Sequence, residues 1–197
     1  QPKLQKIAKK YGVMFFSTPF DDTAVDFLEK MKVPVYKVAS FEIGDLELLK
    51  KIGSTKKPVI ISRGMANLQE IKLAIKTLKK AGAPSIAILH CVSSYPANPN
   101  EMNISTIPVL RKKLRTVIGI SDHNLNSAVV IGAVALGAKI VEKHVTLKRT
   151  DGGPDAAFSL EPRELKELVK SIRVVEKSLG KPQFVSGKRE STNLIFR

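Results

Sequence analysis

Short apolar runs alternate with longer amphipathic stretches along this chain. The runs are Val13–Ser17, Val35–Ser40, Pro58–Ser62, Ile86–Cys91, Val117–Ser121 and Ile140–His144. Each is rich in Val, Ile or Phe, and none alternates polar with apolar. That pattern predicts strands buried on both faces. Between them, apolar residues recur every three or four positions. This spacing predicts helices over Gln1–Tyr11, Asp22–Met31, Asp45–Ile52, Leu68–Ala81, Ile104–Leu114, Ser127–Leu136 and Pro162–Leu179. Gly82, Gly137 and Gly180 follow helical patterns, where a C-cap glycine belongs. Asp45, Asn67 and Glu161-Pro162 stand where helices open.

Alternating strand and helix implies a parallel sheet with right-handed crossovers. Such a sheet is either doubly wound and open or closed as a barrel. Nearly every run carries a polar group towards its C-terminal end: Ser17-Thr18, Lys37 with Ser40, Ser62, Cys91 to Ser94, Ser121 to His123, and Glu142 to His144. An open sheet concentrates its site at one switch point, whereas a barrel gathers residues from many strand ends. The expected fold is therefore an α/β (β/α)8 TIM barrel. It is incomplete, with about six of eight units present over residues 1–180 and the first two strands missing. Residues 181–197 show no helical period and read as a linker towards a further domain.

Composition narrows the class. Hydrophobic residues make up 43% and charged residues 26% of the chain, an ordinary globular mix. A single cysteine, Cys91, excludes an internal disulfide. Residues 1–11 are lysine-rich without the apolar stretch of a secretory leader, and no run suits a membrane span. A reducing cytoplasmic setting is expected. The net charge of +15 suggests an anionic partner. Most of the lysines, however, fill the polar faces of helices such as IKLAIKTLKK. Aromatic residues are 6% and do not interleave with the basic runs, which argues against a nucleic-acid surface.

Candidate chemistry lies at the strand ends. His123 and His144 close consecutive strands, each with an acid one or two positions before it. One such histidine would ordinarily be a hydrogen-bonded structural residue. Two on neighbouring strand ends favour a shared divalent cation. His90 has no such companion and reads as structural. Lys37, inside an apolar strand, must snorkel or meet an anion. Ser40, Ser62 and Ser121 are hydroxyl donors that together suit a phosphate or carboxylate. The turn Asp151-Gly-Gly-Pro-Asp155 presents Asp155, and Ser93-Ser94-Tyr95-Pro96 is either a substrate loop or a plain one. Alternatives from other classes are a Schiff-base aldolase on Lys37, a basic nucleic-acid-binding domain and an inactive relic.

The ordered segments STPFD (17–21), YKVASFE (36–42), PVIISRGMA (58–66), HCVSSYP (90–96), GISDH (119–123), VALGAKIVEKHVTL (134–147) and GGPDAAFSLEP (152–162) resemble the sialic acid synthase family. The resemblance runs from about residue 10 to residue 180. It implies a barrel followed by a small antifreeze-like domain, and a homodimer. The implied reaction condenses phosphoenolpyruvate with an N-acetylated amino sugar, giving a nine-carbon sugar acid and phosphate. Carried over, His123 and His144 resemble the ligands of a divalent metal, manganese or magnesium. Thr18, Lys37, Ser40, Ser62, Ser93 and Ser121 resemble the phosphoenolpyruvate contacts. Glu42, Tyr95 and Asp155 resemble the amino-sugar contacts, with Lys37, Glu42 and Asp155 in catalytic roles. Ser93 departs from the asparagine of some neuraminate synthases, and Arg63 from the usual threonine. ASFEI together with DGGPDAAFSLEP is closest to the pseudaminic acid synthase branch; N-acetylneuraminate and legionaminate synthases are the alternatives.

Overall fold

A computed structural model describes residues 2–187 and 189–197. Gln1 of the first predicted helix and Lys188 of the predicted linker lie outside the described residues.

Five short strands form one sheet: β1 (Tyr36–Val38), β2 (Val59–Ser62), β3 (Ile86–His90), β4 (Val117–Asp122) and β5 (Val141–Lys143). They pair in chain order, and every pair is parallel. Helices α1 (Pro2–Lys10) and α2 (Asp22–Lys30) precede β1, and α3 (Leu46–Ser54), α4 (Leu68–Ala81), α5 (Thr106–Leu114) and α6 (Ala128–Ala135) form the crossovers. α7 (Pro162–Leu179) follows β5. The registers Lys37↔Ile60, Ser62↔Leu89, His90↔Ile120 and Ser121↔Glu142 bring the carboxyl ends of the strands to one pole.

The helices begin and end where local chemistry requires. At α4, Asn67 Oδ1 accepts from the backbone N–H groups of Gln69 and Glu70, while Glu70 accepts from Asn67 N–H. That reciprocal cap satisfies donors that the first turn leaves unpaired. Asp45 caps α3 in the simpler way, accepting from Leu48 N–H. Ile71, Ala74 and Leu78 line the buried face of α4, and Leu48, Leu49 and Ile52 that of α3. The two helices approach closely at Gly53, where an added Cβ would lie 2.6 Å from Ala81 Cβ. The main core joins these residues to Ile61, Ile88, Ile118 and Ile120 of the strands. Each such side chain contributes roughly 1.5–3 kcal/mol by burial. A smaller cluster, Val130, Leu160 and Leu168, fastens α7 to the β5 side.

Two expectations are corrected. Val13–Ser17 is not a strand. Its one bond to β1 is from Lys37 N–H to the Ser17 carbonyl at 3.4 Å, and Val13 and Met14 are 59% and 67% exposed. A strand needs successive ladder bonds and a covered face, and among the described residues this run has neither. The sheet accordingly has five strands rather than six. The tail is also not featureless, since Ser191–Phe196 makes a 3-10 turn. No helix among the described residues is long and apolar enough to cross a membrane.

Candidate active site

The carboxyl ends of the strands enclose a cavity of about 510 Å3. Thr18, Lys37, Ser40, Ser62, Tyr95, Ser121, His123, His144 and Asp155 all line it. Of the predicted site residues, Glu42 and Ser93 do not.

Lys37 sits at the base of the cavity. Its ammonium donates to Ser62 Oγ at 2.7 Å and to the Val38 carbonyl at 3.0 Å, and lies 3.6 Å from Glu142 Oε2. Burial pushes its pKa below the usual lysine value, and the Glu142 carboxylate opposes that shift. Glu142 is held in turn by Ser121 Oγ, which donates to it at 2.7 Å. Lysine, serines and carboxylate thus form one network that spans β1, β2, β4 and β5. An anion entering here meets a cation already stripped of water, where charge-assisted bonds are strongest.

The two imidazoles lie side by side, with ring centroids 5.3 Å apart. His123 Nδ1 faces the Val92 carbonyl at 3.0 Å, so Nδ1 carries the proton and Nε2 keeps its lone pair. His144 Nδ1 lies 3.4 Å from Asp155 Oδ2. Burial lowers the His123 pKa and favours the neutral ring a metal requires. Anchoring one ring nitrogen to a carbonyl or carboxylate is how metal-binding histidines are oriented. The pair therefore fits a divalent cation. Among the described residues no three His, Cys, Asp or Glu side chains group as a complete ligand set, so water or substrate would fill the remaining positions. Tyr95 tilts over His123 at 4.3 Å between centroids, and Phe158 packs edge-on to His144 at 5.1 Å. Together they wall the imidazoles from one side.

The acids that precede the histidines do not join them. Asp122 forms a buried ion pair with Lys143 at 2.9 Å and also accepts from Asn124 N–H. The Lys143 ammonium donates in addition to the Asn124 carbonyl. This ties the backbone on either side of His123 to the residue before His144 and fixes the spacing of the rings. Asp155 reaches His144 because its loop folds back on β5: Leu160 N–H donates to the His144 carbonyl at 2.9 Å, and Ser159 Oγ to the Asp155 carbonyl at 2.7 Å. Arg149 grips Glu164 through both terminal nitrogens, at 2.5 and 2.9 Å, and secures the base of that loop.

Glu42 opens a 3-10 turn beyond β1, and its Oε2 is buried without a hydrogen-bond partner. Ser93 stands behind the cavity and donates to Ser40 Oγ at 3.0 Å. Gly64 lies against both serines. With φ at +47°, a Cβ there would sit 2.4 Å from Ser40 Cβ and 2.9 Å from Ser93 Oγ. Gly64→Ala is expected to destabilise the fold by about 1–3 kcal/mol and to displace Ser40. Chemical denaturation compared with wild type checks this.

Sequence reasoning did not assign Glu142, Phe158 or Lys143 to the site. Glu142 stands two positions before His144, so strand alternation, which puts both on one face, is the available signal. Nothing local marks Phe158.

A partial parallel barrel wall with polar side chains gathered at the carboxyl ends of its strands has the layout of a barrel-enzyme site. The NeuB family profile matches residues 1–184, and the chain belongs to that family. It is 42% identical to the N,N'-diacetyllegionaminic acid synthase of Campylobacter jejuni, over 95% of this chain and 57% of that protein. It is 36% identical to the pseudaminic acid synthase of Helicobacter pylori, over 92% of this chain and 53% of that one. A crystal structure of N-acetylneuraminic acid synthetase from Leptospira borgpetersenii, in complex with citrate, superposes with a TM-score of 0.91 at 37% identity. It covers 99% of this chain and 68% of that chain. The chain spans about half the length of these curated relatives.

Proposed function

We propose that this chain forms the catalytic pocket of a synthase that joins phosphoenolpyruvate to an N-acetylated amino sugar, giving a nine-carbon sialic-acid-like product and phosphate. The observation that carries this is the Lys37–Ser62–Glu142–Ser121 network lying beside the His123–His144 pair in one cavity. In the complete protein, further βα units would close the barrel, a C-terminal domain would follow the 181–197 linker, and two subunits would pair.

Lys37, Ser40, Ser62 and Thr18 bind the phosphate and carboxylate of phosphoenolpyruvate by charge-assisted hydrogen bonds, while Ser121 orients Glu142 beside them. Their fixed geometry holds its C3 towards the sugar carbonyl, and alignment alone lowers the barrier substantially. His123 and His144 would hold a manganese or magnesium ion, which when bound supplies Lewis-acid polarisation of a carbonyl. Asp155 steadies the His144 ring and orients a sugar hydroxyl or amide, with Tyr95 closing that side. Glu42, with one carboxylate oxygen unpartnered, is an acceptor for a sugar hydroxyl or amide. As C3 bonds to the sugar carbon, positive charge develops at C2 of phosphoenolpyruvate. Glu142, held by Ser121 and Lys37, is the carboxylate nearest the anion pocket and stabilises that charge. Water then adds at C2, one of its protons goes to the new sugar alkoxide, and phosphate leaves by cleavage of its C2–O bond, which gives the C2 ketone.

The segments ASFEI and DGGPDAAFSLEP favour the pseudaminic acid precursor as the sugar, while the higher identity to a legionaminic acid synthase favours that branch. The complete protein, supplied with phosphoenolpyruvate, manganese and each of the three precursor sugars in turn, should release phosphate with one sugar at least tenfold faster than with the others. Absence of sugar-dependent phosphate release with all three would overturn the proposal.

A further inference from the structure

The parallel ladder between β4 and β5 ends one residue short of the imidazoles. Its last register pair is Asp122↔Lys143, and the next residues on the two strands are His123 and His144. The histidine carbonyls already serve other segments: His123 accepts from Ala97 N–H at 3.4 Å and His144 from Leu160 N–H at 2.9 Å. The tie across the strands at this step is a side-chain pair. Lys143 Nζ lies 2.9 Å from Asp122 Oδ2 and donates also to the Asn124 carbonyl. Asp122 Oδ1 accepts in turn from Asn124 N–H at 3.2 Å. One ammonium on β5 thereby holds the residues on both sides of His123.

The pair is costly where it stands, since its two side chains are 3% and 0% exposed. Taking both charges out of water offsets much of their attraction, and an apolar pair of the same size is often as stable. What an apolar pair lacks is direction, because hydrogen bonds between charged groups fix geometry as well as energy. Lys143 also lines the cavity, but its ammonium is bonded to Asp122 and Asn124. Strand alternation turns it away from the face that Glu142 shares with Lys37 and Ser121.

We infer that Asp122 and Lys143 are a positioning pair that sets the divalent-cation affinity of the His123–His144 site, by locking the ends of β4 and β5 at the observed ring spacing of 5.3 Å. The inference rests on the metal reading of that site and deepens it.

Manganese binding to the complete, metal-free protein, followed by calorimetry without substrate, tests it in wild type, K143M, K143M/D122N and L78A. Charge and position predict opposite signs for K143M. Removing a nearby cation would by itself tighten manganese binding, whereas loosening the rings weakens it. The expected result is about tenfold weaker binding, the lower end of what partners outside the ligand shell contribute. K143M leaves Asp122 buried and alone, which can cost folding. K143M/D122N removes both charges, keeps the side-chain volumes and retains an acceptor for Asn124 N–H. It should fold and still bind manganese about tenfold more weakly. Leu78 is buried on α4, so L78A controls for stability: it should lower the melting temperature and leave manganese binding unchanged. Unchanged or tighter binding in both Lys143 variants, or a loss in L78A equal to theirs, would overturn the inference and leave the metal reading standing. Wild type that binds no manganese would overturn the metal reading and the inference with it.

Discussion

Replacing His123 by alanine in the complete protein should abolish sugar-dependent phosphate release, with a fall of more than about 100-fold, and should cut bound manganese correspondingly. Weakening an outer partner of a metal-binding histidine already costs about 10–100-fold, so losing the ring itself costs more. The reason lies in the pairing: both rings are anchored at Nδ1, and their centroids stand 5.3 Å apart. Neither ring alone is a bidentate site. The variant also loses a buried ring that packs against Tyr95 and Phe158, so thermal unfolding must be followed beside activity. Destabilisation of about 1–3 kcal/mol is expected from the space left behind. A folded H123A protein with full turnover in the presence of a chelator would remove the metal from the account.

Replacing Lys37 by methionine should have the opposite profile, a large loss of substrate affinity with little loss of stability. Methionine fills the same space without a charge to desolvate; removing one partner of an ion pair is costly only where the other stays buried and uncompensated. Glu142 loses its ion pair but keeps Ser121 and is partly exposed, which limits the penalty. The KM for phosphoenolpyruvate should rise about 100-fold, in keeping with one lost hydrogen bond to a charged group of about 1.5–3 kcal/mol. Steady-state kinetics and denaturant melts measure the two effects. The same residue separates this reading from a Schiff-base aldolase. Borohydride should trap no sugar on Lys37, and a trapped adduct would favour the aldolase.

Much of this arrangement could be read from the chain because parallel sheets leave a strong local signature. Strands β2 to β4 are continuous apolar runs, and their helices carry caps at Asn67 and Asp45 that reveal where each begins. The polar residues stand out because strand ends are where such sequences stop being apolar. Val13–Ser17 misled for the same reason: apolar composition alone cannot say whether a neighbouring strand is there to pair with. The roles of the two acids were also hidden. Asp122 and Glu142 precede the histidines in sequence, which suggested partnership. Side chains alternate along a strand, so Asp122 turns to Lys143 while Glu142 turns to Lys37 and Ser121. Phe158 reaches the imidazoles through a loop fixed by Arg149 and Glu164, a contact set by tertiary folding that no local pattern encodes. His90 reads as structural from the sequence, and in the structure it is buried and hydrogen-bonded to Arg63 and the Met102 carbonyl.

The central claim is that the Nε2 atoms of His123 and His144 hold one cation beside Lys37 and Ser62 in the same cavity. Crystals of the complete protein soaked with manganese and phosphoenolpyruvate, measured at the manganese absorption edge, examine it directly. The account predicts one anomalous peak bonded to both Nε2 atoms, with the phosphate of phosphoenolpyruvate against Lys37 and Ser62. A peak elsewhere, or phosphoenolpyruvate bound away from Lys37 with the two imidazoles bare, would contradict it.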